Sequence, residues 1–383
     1  MQNSNCKMKY SEQWLLYLAL NILFIWKYMS RTAYSPLIGI VIYLLLFCIA
    51  AYALHLSSRW SEQQLKAIVI SIIAISCVGI ALLLLTIDPL SVNVDRWSAT
   101  TYFLDGLFSG KYPYGIHTHV CETNYPSPSP LWYYLNIPFW LIGDVGTGLF
   151  FYLLLLVTAV RWFTQSWQQT LIFTLLLLMS PAYWWEVIVR SDSLSNCIII
   201  FAVLLLLEKR HISFSNHSLS TSILCGMIAM TRLWAPIAPA IYLSKSYFQQ
   251  SHMKKILIFV IILLTMFFFF TPYIFWDTEN WIFFQRNPFM SETSTGNPWI
   301  LLIMIGIALI LAFKYKNFNQ YCRSTACFFT LFFIVSLLYN HLAYNSDISF
   351  FEDADFDISY LSLALPYILF SISQSRICNE KYY

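Results

Sequence analysis

Charge is scarce in this chain: 11% of its 383 residues are charged, and its mean hydropathy is +0.62. A soluble domain usually carries about 25% charged residues. The sequence therefore excludes a soluble globular enzyme. It also lacks a glycine-rich phosphate loop followed by lysine, a Cys/His zinc array and a basic stripe. Nucleotide hydrolysis, zinc catalysis and nucleic-acid binding have no support.

Paired cysteines are also lacking, although the chain has nine cysteines. Most lie inside apolar runs, where sulfur behaves as a small hydrophobic group. The His-x-His pair at His117 and His119 is too weak a signal to predict chelation. We therefore predict no disulfide, no metal site and no cofactor.

Long apolar runs are abundant. A helix needs about 20 residues to cross the hydrocarbon core of a bilayer. The runs near that length are 14–29, 36–56, 67–87, 146–162, 170–187, 191–207, 255–275, 298–313, 325–341 and 358–373. This pattern predicts an all-α, polytopic integral membrane protein with a single transmembrane domain over residues 1–383.

Two further apolar segments are interrupted. Residues 131–142 are short and contain Pro138, which favours a helix lying at the membrane interface. Residues 218–245 carry Arg232, Pro236 and Pro239. They form either one tilted span or two short helices, and the helix breakers favour the pair. With that pair, the chain has about twelve transmembrane helices.

Charge asymmetry orients this arrangement. With the N-terminus inside, most of the 22 basic residues lie inside, as the positive-inside rule requires, and most of the 19 acidic residues lie outside. Three long segments are then outer loops, at residues 88–130, 275–297 and 342–357. Residues 88–143 are expected to contain the catalytic loop and short interfacial helices, whereas 1–66 are additional N-terminal spans.

The first outer loop contains the densest chemistry. Asp95 precedes an expected helix over residues 97–110, which Gly110 would cap. The Asp95 carboxylate either caps this helix or faces a substrate. Loop aromatics such as Trp97, Tyr112 and Tyr114 either stack on a sugar or form an interfacial belt.

These residues carry a resemblance to a known family. An acid after an early span, then a short helix, G-x-x-P-Y and a proline-rich entry to the next helix resemble the first outer loop of the GT-C glycosyltransferases. The resemblance is to their polyprenyl-phosphate-sugar-dependent, mannosyltransferase-like branch. The motif residues are Asp95, Asp105-Gly106, Gly110-Lys111-Tyr112-Pro113-Tyr114, Tyr125-Pro126-Ser127-Pro128, Ser180-Pro181, Glu186, Arg190-Ser191-Asp192, Gly226 and Thr231-Arg232. Asp95 stands alone here, where many family members have two adjacent acids.

The resemblance implies an inverting transfer of a hexose such as mannose. Its donor would be a polyprenyl-phosphate-linked sugar, and its acceptor a hydroxyl of a glycan, lipid or protein. The site would face the periplasm from a bacterial inner membrane, in contact with membrane lipids and without nucleic acid.

The resemblance also implies roles for individual residues. Asp95 would be the general base. The further catalytic candidates are Asp105 and Asp192, the donor-phosphate candidates are Arg232, Arg190, Arg96 and Lys111, and the sugar or acceptor candidates are Tyr112, Tyr114, Trp97 and Glu186. Two other roles stay open: Asp192 could cap a helix, and Arg232 could snorkel or pair with Asp192 or Glu186. The acidic run 352–357 is read as a solvated loop and not as a calcium site.

Two other functions stay open. A secondary transporter would also use many spans and a broken helix, but no internal repeat is evident. An O-antigen polymerase or ligase would rely on a late loop rich in Arg and His, whereas loop 275–297 contains only Arg286.

Overall fold

The computed structural model describes residues 11–293, 298–344 and 357–375. Over those ranges the chain forms helices and turns and contains no strand. In chain order the α-helices are α1 (Ser11–Met29), α2 (Pro36–Leu56), α3 (Glu62–Thr86), α4 (Arg96–Ser109), α5 (Pro130–Ile142), α6 (Gly148–Thr164), α7 (Trp167–Leu178), α8 (Pro181–Ile188), α9 (Asp192–Lys209), α10 (Ser218–Ala229), α11 (Ile237–Phe248), α12 (His252–Trp276), α13 (Thr278–Ile282), α14 (Pro288–Thr293), α15 (Pro298–Lys314), α16 (Phe318–Tyr344) and α17 (Leu365–Ser375). The all-α prediction is confirmed for these residues.

Several helices are long and apolar enough to cross a membrane. Five qualify among the described residues: Pro36–Arg59, Glu62–Thr86, Val145–Thr164, His252–Trp276 and Phe318–Leu342. A sixth is obtained if α7 and α8 are counted as one bent span. Shorter apolar helices occupy Ser218–Ala229, Trp299–Lys314 and Ile358–Gln374. These are the helices of an integral membrane protein.

Two of the predicted spans are not single straight α-helices. The run 170–187 is divided into α7 and α8, which meet at 62°. The cause is Pro181, which has no N–H to donate and is tolerated only in the first turn of a helix. The run 358–373 begins as a 3₁₀ helix over Ile358–Ala364 before it continues as α17.

Three local predictions are confirmed. The segment 218–245 is broken into α10 and α11, and Arg232 lies between them. The segment 131–142 is one short helix, α5. The helix expected over residues 97–110 is α4, and Gly110 caps it with φ +75°. Glycine suits that position because left-handed dihedrals strain other residues.

Some predicted features lie outside the described residues. They include residues 345–356 of the third outer loop, with most of the acidic run 352–357, and residues 294–297 of the second. Several basic residues counted on the inner side, among them Lys7, Lys9, Arg376 and Lys381, also lie outside them.

The chain divides into two compact units. Unit 1 comprises Met1–Ile80, Leu154–Val187 and Tyr315–Tyr383, and unit 2 comprises Ala81–Leu153 and Ile188–Lys314. In unit 1, α17 packs against α1, α7 and α16. Two buried hydrogen bonds attach α1 within this unit: the Tyr17 hydroxyl donates to the Leu176 carbonyl at 2.7 Å, and Ser180 Oγ donates to Asn21 Oδ1 at 2.5 Å.

Unit 2 contains the first-loop motif and the broken helix. In it, α4 packs on α5, α10 packs along α12, and α11 packs against α9 and α15. The contact between α10 and α12 requires Gly226, because a Cβ at that position would lie 2.6 Å from Thr265 Cβ and 3.0 Å from the Ile262 carbonyl oxygen. Gly226 thus positions α10, which ends just before Arg232.

Candidate active site

Asp95 precedes α4, but its carboxylate does not cap that helix. The backbone oxygen of Asp95 accepts the Ala99 N–H at 2.7 Å, whereas its side chain makes no capping hydrogen bond. A capping residue usually has β-region dihedrals, and Asp95 has φ −83° and ψ 2°. The carboxylate is therefore not used by its own helix and is available for other chemistry.

Asp192 is the centre of a buried ion cluster. Its carboxylate is 3% exposed and contacts two guanidinium groups. Arg232 donates through Nε to Asp192 Oδ2 at 2.7 Å and also through Nη2 to the same oxygen. Arg96 Nη1 lies 3.5 Å from Oδ1 and also donates to Ser193 Oγ. Both arginines are buried.

The ion cluster decides between the alternative roles of Asp192 and Arg232. Asp192 does not cap α9, because Ser191 is the capping residue and its hydroxyl accepts the Ser193 N–H at 3.1 Å. Asp192 is instead the first residue of α9, where the helix dipole also favours a negative charge. For Arg232, pairing with Asp192 is confirmed over snorkelling.

The proline-rich segment attaches to the break between α10 and α11. The Ser129 N–H donates to the Thr231 carbonyl at 3.1 Å, and the Leu131 N–H donates to the Met230 carbonyl at 2.9 Å. Arg232 Nη1 donates to Ser127 Oγ at 2.9 Å. The first loop, the broken helix and the start of α9 are thereby joined around one guanidinium.

The charges of this cluster act on Asp95. Burial raises the pKa of the Asp95 carboxyl above its ordinary value. The positive charge of Arg96 lowers it, the negative charge of Asp192 raises it, and the positive charge of Arg232 lowers it. Desolvation is the dominant cause. The structure therefore brings Asp95, Arg96, Asp192 and Arg232 into one electrostatic group.

A second cluster contains Arg190 and Trp97. Arg190 has φ +49°, and its Nη2 donates to the Leu84 and Ile87 carbonyls at 2.9 and 3.2 Å. Its Nη1 lies 3.4 Å from Asp144 Oδ2, and Asp144 Oδ1 accepts the Trp97 indole N–H at 2.8 Å. Arg190 thus satisfies carbonyls at the end of α3, which a helix terminus leaves unpaired.

Between these clusters lies a small polar pocket. Its lining includes Thr100, Asn136 and Tyr152 from α4, α5 and α6, and Arg190 and Asp192 from the start of α9. The space admits about one ordered water molecule. This space is too small for a sugar.

Asp105 and Lys111 lie apart from the ion cluster. Asp105 is exposed on α4, and its Oδ1 accepts the Trp140 indole N–H at 2.8 Å. It lies ten residues after Asp95, near the C-terminal end of α4. Lys111 is exposed just after α4.

The two tyrosines of the G-x-x-P-Y motif differ in exposure. Tyr112 is half-buried, and its hydroxyl donates to the Arg286 carbonyl at 3.0 Å. Tyr114 is fully buried; its hydroxyl donates to the Pro128 carbonyl at 3.0 Å, and its ring packs against Phe103. Tyr114, expected at a sugar, is therefore a core residue.

Glu186 belongs to unit 1, where it is buried in α8. It is thus not among the residues that unit 2 brings together.

No family model, curated protein or solved structure matches this chain. The resemblance to GT-C enzymes therefore depends on the motif residues themselves. Of those motifs, the first loop, Arg190-Ser191-Asp192 and Thr231-Arg232 all belong to unit 2.

A metal centre has no candidate in the part of the chain that the structure describes. No group of three or more His, Cys, Asp or Glu side chains there could hold an ion.

Sequence reasoning missed Asp144, and it named Ser127 and His119 without predicting their contacts. Asp144 binds both Trp97 and Arg190. Ser127 of the proline-rich motif accepts from Arg232, and His119 of the His-x-His pair contacts the turn that carries Asp95. Their signals are weak, because a single polar residue in a loop has no periodicity. The Asp-x-Gly at 144–146 does predict a local turn, in which Asp144 Oδ1 accepts the Gly146 N–H at 2.8 Å.

Proposed function

We propose that this protein is a membrane glycosyltransferase that moves a hexose from a polyprenyl-phosphate donor to an acceptor hydroxyl. The observation that supports the proposal best is the Asp95 carboxylate, which is not used as a helix cap and has a raised pKa beside a buried Asp–Arg cluster. Raised carboxyl pKa values in such surroundings are typical of general bases.

The proposed reaction is a single displacement. The acceptor oxygen forms a bond to the anomeric carbon while the bond from that carbon to the phosphate oxygen breaks. Asp95 takes the acceptor proton, and polyprenyl phosphate leaves with the bonding electron pair. Attack opposite to the leaving group inverts the anomeric configuration.

The buried Arg96 and Arg232 support this chemistry through the effect of their charges on Asp95. Two of the four charges are positive and two are negative, so Arg96 and Arg232 can balance Asp192 and the ionised Asp95. Arg232 already donates to Asp192 and to Ser127. We therefore assign Arg232 and Arg96 mainly to holding Asp95 in its electrostatic environment. The exposed Lys111 remains a candidate partner for the donor phosphate.

A reconstituted assay tests the function. The purified protein in lipid nanodiscs would receive polyprenyl-phosphate-linked hexoses, with mannose and glucose as separate donors, and a panel of glycan, lipid and peptide acceptors. We expect transfer with an inverted anomeric linkage, measured by NMR of the product. Retention of configuration, or substrate uptake into vesicles without transfer, would contradict the proposal.

The proposed topology has about twelve spans with the Asp95 loop on the outer face of a bacterial inner membrane. Single cysteines at exposed loop positions such as Ser109 and Thr123 are then expected to react with an impermeant maleimide in intact cells. Cysteines placed at Arg210 and Lys254 should react only after permeabilisation. The native cysteines, of which Cys121 is exposed, would first be replaced by serine. The opposite labelling pattern would exclude an external site.

The raised pKa of Asp95 predicts a pH profile. Because the base acts only when it is ionised, kcat/KM, which reports the protein without substrate, should rise with pH through a pKa above the ordinary value of about 3.9. The pH dependence of folding stability has the opposite sign. The folded state binds this proton more tightly, so the contribution of Asp95 to stability falls as pH rises through the same window. Profiles of kcat/KM against pH, from pH 4 upward, test the expectation for activity. An acidic limb at the ordinary pKa of aspartate would contradict it.

A further inference from the structure

The turn that carries Asp95 is attached to a later part of the same loop by His119. His119 Nε2 lies 3.0 Å from the Val92 carbonyl oxygen, and Nδ1 lies 2.6 Å from Ser98 Oγ. The His119 backbone N–H also donates to Ser98 Oγ at 3.3 Å. One side chain therefore contacts the turn three residues before Asp95 and again three residues after it.

The chemistry of these groups sets the direction of the hydrogen bonds. A carbonyl oxygen only accepts, so Nε2 carries the proton and donates to Val92. Ser98 Oγ is also 3.0 Å from the Asp95 backbone oxygen. Its single proton is donated either to that oxygen or to His119 Nδ1, which has no proton when Nε2 carries it. The buried Ser98 hydroxyl thus lies between His119 and the backbone of Asp95.

Asp95 needs such external support. Its side chain makes no capping bond to α4 but accepts a hydrogen bond from its own backbone N–H, so its position depends on how the backbone around residue 95 is held. A catalytic group must be held within about 0.5 Å of its productive position, and a displacement of about 1 Å can cost about 100-fold in rate.

We propose that His119 is a positioning residue that holds the Val92–Ser98 turn and thereby places the Asp95 carboxylate. This role rests on the proposed function, in which Asp95 is the base. His119 itself touches no reacting atom.

The neighbouring His117 provides a matched control. Its ring lies 4.9 Å from that of Tyr125, and no hydrogen bond from it to the Val92–Ser98 turn is found among the described residues. Both histidines belong to one His-x-His motif in the same loop, so the two alanine variants differ chiefly in whether the turn is held.

Steady-state kinetics in nanodiscs provide the test. His119→Ala should lower kcat at least about tenfold and leave the donor KM within about twofold of wild type, because alignment is lost and donor binding is kept. His119→Gln should recover part of kcat, since its amide nitrogen can donate to Val92. His117→Ala should retain kcat. Unchanged kcat in His119→Ala, an equal loss in His117→Ala, or a raised KM with unchanged kcat would overturn the proposal.

Hydrogen–deuterium exchange separates this inference from the proposed function. The amides of residues 92–98 should exchange faster in His119→Ala than in wild type or His117→Ala. If wild-type protein transfers no sugar from any donor, the glycosyltransferase proposal fails, and exchange still tests His119. Faster exchange would uphold its role in holding the turn, and unchanged exchange would overturn it.

Discussion

Asp95→Asn is expected to lower kcat for sugar transfer by about 100- to 10,000-fold, the usual contribution of a general base. The amide has nearly the same shape as the carboxylate but cannot accept the acceptor proton. Folding should be little affected, because the Asp95 side chain does not cap α4 and its burial raises its pKa. Because burial disfavours the ionised carboxylate, the neutral amide should not lower the free energy of unfolding at neutral pH.

A matched carboxylate in the same loop is the control for this experiment. Glu122 is exposed, and Glu122→Gln removes the same charge without touching the Asp–Arg cluster. It should keep wild-type kcat and the wild-type pH profile. Retained activity in Asp95→Asn would show that another group is the base and would remove the observation on which the proposed function depends.

Asp192→Ala is expected to reduce the free energy of unfolding by about 3–5 kcal/mol, as removal of one partner from a buried ion pair does. The effect should be large because the carboxylate contacts two guanidinium groups at once. Without it, the buried Arg96 and Arg232 would lose the negative charge that they share. Unfolding in mixed micelles, followed by tryptophan fluorescence, measures the change.

Removal of Arg232 should lower the free energy of unfolding by less than removal of Asp192, the acid that both arginines share. In Arg232→Ala, Arg96 still neutralises Asp192, whereas Asp192→Ala leaves both cations. Arg59→Ala, at an exposed position, should change stability by less than about 0.5 kcal/mol. If Arg232→Ala destabilised the protein more than Asp192→Ala, the shared-acid description of the cluster would be wrong.

Local patterns along the chain predicted much of the helical structure. The helix after Asp95 and its cap at Gly110 follow from turn chemistry between neighbouring residues. The break in 218–245 follows from Pro236 and Pro239, which have no N–H and therefore interrupt the series of backbone hydrogen bonds of a helix. Helix hydrogen bonds join residues four apart, so such features can be predicted without tertiary contacts. The 62° bend at Pro181 depends on the same chemistry, whereas the apolar composition of the run 170–187 predicted only a span.

The candidate site was predicted only in part. Asp95, Asp192 and Arg232 were each identified, but the partner of Arg232 was left open between Asp192, Glu186 and a phosphate. Asp192 and Arg232 are 40 residues apart, and no periodicity connects residues at that separation. Tyr114 illustrates the opposite failure, because an aromatic loop residue and an aromatic core residue look alike in sequence.

The sequence by itself determined that this is a helical membrane protein whose few charges include acids and arginines near helix ends. Scarcity of charge and the length of apolar runs are sums over local residues, so they need no fold to be interpreted. Only the tertiary structure decided which of those charges pair. A charge buried away from water requires an opposite charge or hydrogen-bond donors, and the Arg232 guanidinium found both only when the proline-rich segment, the broken helix and the start of α9 were folded together.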